Sequence, residues 1–363
     1  MNRKQFCFVL LALAIVGGAG FILLKRNRQS WTTHETGAGD KVLPAFAYND
    51  VASIHIKGAA SQFHVVRQDG IWRIPERDGY CANYPVIKDL LLRIRDLKVV
   101  QSDTLGASQL PRVELADPMS RIGAGTVIEF ADSAQKPIAS LVVGKRHLRP
   151  QSQSDPYRLK GLFDGCYIRL LSDPENVMLV SDDLPAVNAE PQAWLDKSFI
   201  KIEKLKSLSL IASNGTTLWT LTRPAESQPW LLADADSEAG EVLDPAAASQ
   251  IVEVLPFLSF VDVVPRDRAN ALMQSRPSML FAETFDHFFY SINFSAAPAE
   301  QKILFTIKAK AEVSGEGGEA EQKARLAREQ ALASWTFVAD ATTFQPIVRE
   351  RAQLLQKKLA AAK

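Results

Sequence analysis

Short runs of this chain alternate apolar and polar residues with a period of two, and turn-forming pairs separate them. Ile54 and Ile56 fall on one face and Ser53, His55 and Lys57 on the other, which predicts a strand. A second strand is expected from Phe63 to Arg67, a turn at Asp69-Gly70, and a third strand carrying Trp72 and Ile74. The period then becomes helical. Asn83 caps, Pro85 sits in the first turn, and Ile87, Leu90, Leu91, Ile94 and Leu97 line one apolar face, closing at Val99-Val100.

The same succession returns about 155 to 160 residues later, the mark of an internal repeat. Leu208 and Leu210 alternate with Ser207 and Ser209, Asn214-Gly215 makes a hairpin turn, Leu218 to Leu221 returns, and Trp230 follows as Trp72 did. Asp244 and Pro245 then open a helix with Ile251, Val254, Leu255 and Leu258 on its apolar face. Further short strands are expected after each helix. In the first half they are Thr126 to Phe130, Ile138 to Val143, Tyr167 to Leu170 and Val177 to Val180. In the second they are Met279 to Ala282, Phe288 to Phe294 and Ile303 to Lys308. Glu316 to Ala333 reads as a polar, Ala-rich helix, and Phe344 to Leu359 as an amphipathic one.

Ahead of all this lies an uncharged run from Phe6 to Leu24, flanked by Arg3 and Lys4 and by Lys25, Arg26 and Arg28. As a helix its 19 residues would span about 28 Å, one bilayer crossing. A cleaved signal peptide competes with this reading, but the apolar run outlasts a normal signal core and meets a second basic cluster. No other stretch of that length escapes charges, so a single span is expected. The flanking charges nearly balance and leave its orientation open.

The chain holds 42 Lys and Arg against 41 Asp and Glu. Five of the bases lie in the first 28 residues, so the remainder is mildly acidic, which argues against nucleic acid and against broad contact with anionic lipid. Of three cysteines, Cys7 falls in the apolar run, and whether Cys81 and Cys166 pair stays open.

The runs Asn49-Asp50-Val51, Gly70-Ile71-Trp72-Arg73-Ile74, Tyr84-Pro85, Leu115-Ala116-Asp117-Pro118, Leu141-Val142-Val143-Gly144-Lys145, Tyr167-Ile168-Arg169 and Trp194-Leu195-Asp196-Lys197 occur in an order and spacing similar to the bacterial envelope family called domain of unknown function 4340. The resemblance covers roughly 43–264 and, more weakly, the rest. It implies an N-terminal anchor with a cytoplasmic N-terminus, an extracytoplasmic or periplasmic body, no assigned reaction, and association of some members with ABC-type transport systems of the gliding-motility kind.

Candidate chemistry is sparse. His55 and His64 would face each other across a hairpin without a third metal ligand. Glu283, Asp286 and His287 would be split between the two faces of a strand. Gly123-Ala124-Gly125 and Gly144-Lys145-Arg146 lack the rest of a phosphate loop, and no nucleophile elbow or zinc-protease helix is present. Trp72 and Trp230 read as matching core wedges. Arg146, Arg149, Arg158 and Lys160 flank a polar loop and form the best basic patch.

The expectation is therefore an α+β protein: an N-terminal transmembrane helix followed by two tandem α+β modules of short antiparallel strands with one main helix each. The divisions are an anchor at 1–28, a spacer at 29–42, modules at 43–200 and 201–310, and a charged insert with a C-terminal amphipathic helix at 311–363. The expected role is that of a non-catalytic accessory protein of the inner membrane. Residues 6–24 meet the bilayer, an envelope protein such as an ABC-type permease is the partner, and no nucleic acid is bound. No catalytic, cofactor-binding or metal-ligating residue is assigned. The competing readings are a glycan- or lipid-binding envelope module and an unrecognised hydrolase.

Overall fold

The computed structural model describes residues 37–148, 163–185, 187–236, 238, 240–272, 276–297, 301–312 and 318–356. The anchor expected at Phe6 to Leu24, its basic flanks and most of the spacer lie outside these residues. Among the described residues no helix is long and apolar enough to cross a membrane. The chain is mostly β-sheet with a few helices, and it divides into two compact units. The first holds the described residues up to Arg73 together with Ala82–Trp194. The second holds Ile74–Cys81 and everything from Leu195 onward.

In chain order the first half supplies β1 (Ser53–Lys57), β2 (Gln62–Gln68), β3 (Ile71–Ile74), the two-residue β4 (Tyr80–Cys81), helix α1 (Tyr84–Asp96), β5 (Val99–Thr104), β6 (Thr126–Ala131), β7 (Pro137–Leu148), β8 (Phe163–Leu170) and β9 (Asp173–Val180). They form a nine-stranded antiparallel sheet in the order β4-β3-β2-β1-β6-β7-β8-β9-β5. Alternation decides which face is buried: Ile54 and Ile56 are fully buried and His55 and Lys57 only half so. Asp69 and Gly70 both adopt left-handed backbone, the twist that a two-residue hairpin needs. The Asn83 side chain accepts the Val86 N–H at the start of α1, and Ile87, Leu90, Leu91 and Ile94 on that helix are buried.

The second half supplies β10 (Leu205–Ile211), β11 (Thr217–Thr222), β12 (Leu231–Leu232), α2 (Pro245–Val252), β13 (Asp262–Val264), α3 (Arg266–Leu272), β14 (Ser278–Thr284), β15 (Phe288–Ala297), β16 (Lys302–Ala311), α4 (Glu319–Ala331), β17 (Thr336–Asp340) and the single turn α5 (Ala341–Phe344). Its eight-stranded sheet runs β12-β11-β10-β14-β15-β16-β17-β13. Read strand for strand, this is the order β3-β2-β1-β6-β7-β8-β9-β5 of the first sheet. The repeat seen in the sequence thus extends to the whole sheet topology.

Within the stretch at 311–363, β17 pairs with both β16 and β13 inside the second sheet. Two expectations are corrected. The helix expected from Phe344 to Leu359 does not form over its described part, which holds only a short 3-10 turn at Arg351–Leu354. There the Asp244 N–H donates to the Leu354 carbonyl and the Gln356 N–H to that of Val242, so tertiary pairing extends the backbone despite its helical apolar spacing. Trp230 is no core wedge either. Trp72 on β3 is buried, whereas Trp230 precedes β12, is half-exposed, and carries the Arg223 guanidinium 4.7 Å over its ring. The large buried indoles are those of Trp194 and Trp219, anchored by Nε1–H bonds to the Asn188 and Arg349 carbonyls.

Candidate functional site

The second unit encloses an open cavity of about 760 Å³. The helix α4, inserted between β16 and β17 where the first sheet has only a tight turn between β8 and β9, supplies one wall. Its sequence places Arg325 and Glu329 at i and i+4 on one face, so Arg325 Nε donates to Glu329 Oε1 at 2.9 Å. Across from it, β14 and β15 meet in a turn at Thr284–His287, held by the His287 N–H to the Thr284 carbonyl and by the Phe288 N–H to Thr284 Oγ1. The turn delivers Asp286, whose Oδ2 accepts from Arg325 Nη1 at 2.7 Å. Arg325 Nη2 donates to the Tyr290 hydroxyl at 2.9 Å, that hydroxyl donates to Glu329 Oε2 at 2.9 Å, and the guanidinium lies 4.0 Å over the Phe288 ring.

The floor is therefore a closed network. Burial alone would raise the Asp286 carboxyl, but hydrogen bonds from Thr284 and Arg325 outweigh it and hold that group below the ordinary aspartate value. Burial, with the nearby Glu329 charge, pushes the Tyr290 hydroxyl well above the usual tyrosine range. Arg325 stays above its ordinary value because Glu329, Tyr290 and Asp286 overcome the effect of burial.

An aromatic wall stands beside this floor. Tyr80 and Trp335 meet edge to face at 5.1 Å, and Phe199 lines the same space. Burial first, then the charges of Asp196 and Cys81, raise the Tyr80 hydroxyl above its usual range. The exposed Lys201, Lys204 and Arg328 complete the lining with Glu203 and Asp196.

Residues 72–277, more than half of the chain, match the family model described as Domain of unknown function (DUF4340). The chain belongs to that family. No curated protein and no solved structure matches it. The runs that carry the DUF4340 resemblance now have physical roles. In Trp194-Leu195-Asp196-Lys197, Trp194 and Leu195 are fully buried, Asp196 Oδ1 caps the Ser198 N–H at 2.9 Å, and Lys197 Nζ donates to the Val261 carbonyl at 2.6 Å above the Phe260 ring. Burial pushes the Lys197 ammonium below its ordinary value. In Leu115-Ala116-Asp117-Pro118, Leu115 is buried against Val127, Val142 and Val177.

The residues singled out from the sequence fare differently. His55 and His64 pair across β1 and β2 with rings stacked at 4.2 Å, and His55 Nδ1 lies 2.8 Å from Glu129 Oε2 on β6. Stacked rings cannot aim their nitrogens at one ion, and among the described residues no group of three or more His, Cys, Asp or Glu side chains could hold a metal. Glu283, Asp286 and His287 are separated by the turn and not by strand alternation. Glu283 pairs with Lys206 at 2.7 Å while Asp286 joins Arg325. Of the basic patch, Arg146 is described, 3.9 Å from Asp183 and over the Phe163 ring, while Arg149, Arg158 and Lys160 lie outside the described residues. Cys81 and Cys166 are both free thiols, the latter buried. The network itself went unread in the sequence. The Arg325-x-x-x-Glu329 spacing was its one local trace, because Asp286 and Tyr290 reach Arg325 only through the folded sheet.

Proposed function

We propose that this chain is a non-catalytic accessory protein of the inner membrane, held by a single span at residues 6–24 with its N-terminus cytoplasmic and its body extracytoplasmic. The second unit receives a segment of another envelope protein in its cavity, and the partner class that the family resemblance implies is an ABC-type transport complex. One observation carries the reading. Arg325, Asp286, Glu329 and Tyr290 direct their hydrogen bonds at one another, which suits a rigid receptor wall better than proton transfer. What remains to meet a ligand is the aromatic wall and the charged rim. The test is affinity purification of the crosslinked, full-length protein from membranes. A stoichiometric envelope partner, lost on Trp335→Ala combined with Lys204→Glu, is the expected outcome, and recovery of no such partner overturns it.

The aromatic lining also favours a second reading, a glycan-binding envelope module. Saturable quenching of tryptophan fluorescence by cell-wall glycan fragments, abolished by Trp335→Phe, would establish that reading in place of the first.

A further inference from the structure

The loop at 105–125 between β5 and β6 is pinned flat on the first sheet. Its own Leu115 is buried against Val127, Val142 and Val177 of the sheet, Arg169 Nε donates to the Leu115 carbonyl at 3.1 Å, and Ala116 bridges Ala124. The backbone comes so close that a Cβ on Gly144 would meet the Val113 carbonyl oxygen at 2.4 Å, and one on Gly123 that of Pro111 at 2.1 Å. From this rigid base a tip projects. Asp117 Oδ1 takes the Met119 N–H at 2.8 Å, the Ser120 N–H goes to the Asp117 carbonyl at 2.8 Å, and Ser120 Oγ donates to the Ile122 carbonyl at 3.3 Å. Those internal bonds satisfy the Met119 and Ser120 N–H groups and the Ile122 carbonyl, and leave the Asp117 carboxylate and the Arg121 guanidinium as the charged groups of the tip. Met119 and Ile122 nevertheless stand 76 % exposed each, with Arg121 between them.

We infer that this tip inserts into the lipid interface of the bilayer that holds the anchor, an inference that rests on the anchored reading above. Whatever conformation residues 25–36 take, the chain from Leu24 to Gly37 reaches at most about 45 Å. A compact unit of this size, on the order of 150 residues, is about 38 Å across. The tether is therefore longer than the first unit is wide, so its length does not hold the tip away from the membrane. Two side chains offer on the order of 300 Å² of apolar surface, well short of the roughly 800 Å² per partner of a stable protein interface. A fluid interface asks for no matching surface, and tethering raises the local concentration enough for weak insertion to persist. Arg121 can extend its stem beside the two apolar side chains and keep its head in water. Because Asp117 offsets Arg121, insertion is driven by apolar burial and does not depend on anionic lipid.

The test places benzoylphenylalanine at Met119, at Ile122 and, as a control, at the exposed Gln68 of β2 in the full chain, and maps the photo-adducts in isolated membranes by mass spectrometry. Lipid adducts at 119 and 122 in about tenfold excess over 68 are expected. They should be retained in vesicles of phosphatidylcholine alone. Adducts to protein, no excess over Gln68, or a requirement for anionic lipid overturns the inference. Alkaline carbonate extraction of the same membranes reads the anchor separately. Release of the chain removes the anchored reading and this one together, whereas retention without lipid adducts removes this one alone.

Discussion

Replacing Arg325 by Met keeps an unbranched apolar stem but removes the guanidinium, and with it the stacking over Phe288 and the counter-charge of two carboxylates. The side chains of Glu329 and Asp286 are 10 % and 25 % exposed, and that of Arg325 is 28 % exposed. Breaking a fully buried pair costs about 3–5 kcal/mol. Partial exposure here reduces the expectation to about 2–3 kcal/mol. For a domain of this size that is a loss of about 5–10 °C in Tm. Urea unfolding of the detergent-solubilised full chain, followed by hydrogen exchange of peptides from β15 and α4, scores the second unit by itself. Glu329→Gln in the Arg325→Met background should cost less than in the wild type, a coupling of about 1–2 kcal/mol. The pH dependence carries its own sign. Asp286 is held below its ordinary value, so its contribution is complete above about pH 4 and is lost as pH falls through the lowered folded value. Tyr290 is raised, so its contribution is present below about pH 10 and is lost as pH climbs above that. In Arg325→Met the acid-side loss should begin at higher pH, because burial of Asp286 is then opposed only by Thr284 and the local backbone N–H. A loss below about 0.5 kcal/mol, with Glu329→Gln additive, would refute the network's contribution.

Other consequences can be measured independently. Gly144→Ala should destabilise by about 1–3 kcal/mol and open the 105–125 loop to limited proteolysis, because the new Cβ meets the Val113 and Glu114 carbonyls; Gly106→Ala, with nothing within 4 Å of its Cβ, should not. Burial pushes the Cys166 thiol up to about 12, so alkylation of the native chain mapped by mass spectrometry should leave it unmodified until the first unit unfolds. Asp244→Ala removes the acceptor of the Ala246 N–H at 2.9 Å and should cost about 1 kcal/mol in chemical unfolding.

Local features were legible because their physics is local. Strand alternation, the turns at Asp69-Gly70 and Asn214-Gly215, and the caps at Asn83 and Asp244 each depend on a few neighbouring residues, and all of them form. The apolar spacing of Ile347, Val348, Leu354 and Leu355 misled, since backbone pairing with Val242–Asp244 outweighs a weak helical preference. The Glu283-Thr284-Phe285-Asp286-His287 run reads as strand because a tight turn with His287 at φ 61° carries no glycine to announce it.

The sequence alone determined the duplication, the main strands and helices, the family runs and the uncharged N-terminal stretch, all of which follow from hydrophobic period and turn chemistry. Tertiary structure alone decided that Ile74–Cys81 belongs with the second unit, that β17 enters the second sheet between β16 and β13, and that Arg325 gathers Asp286, Tyr290 and Glu329. Those choices depend on strand register and on which charges are desolvated together. Both are properties of residues far apart in the chain, and no local pattern encodes them.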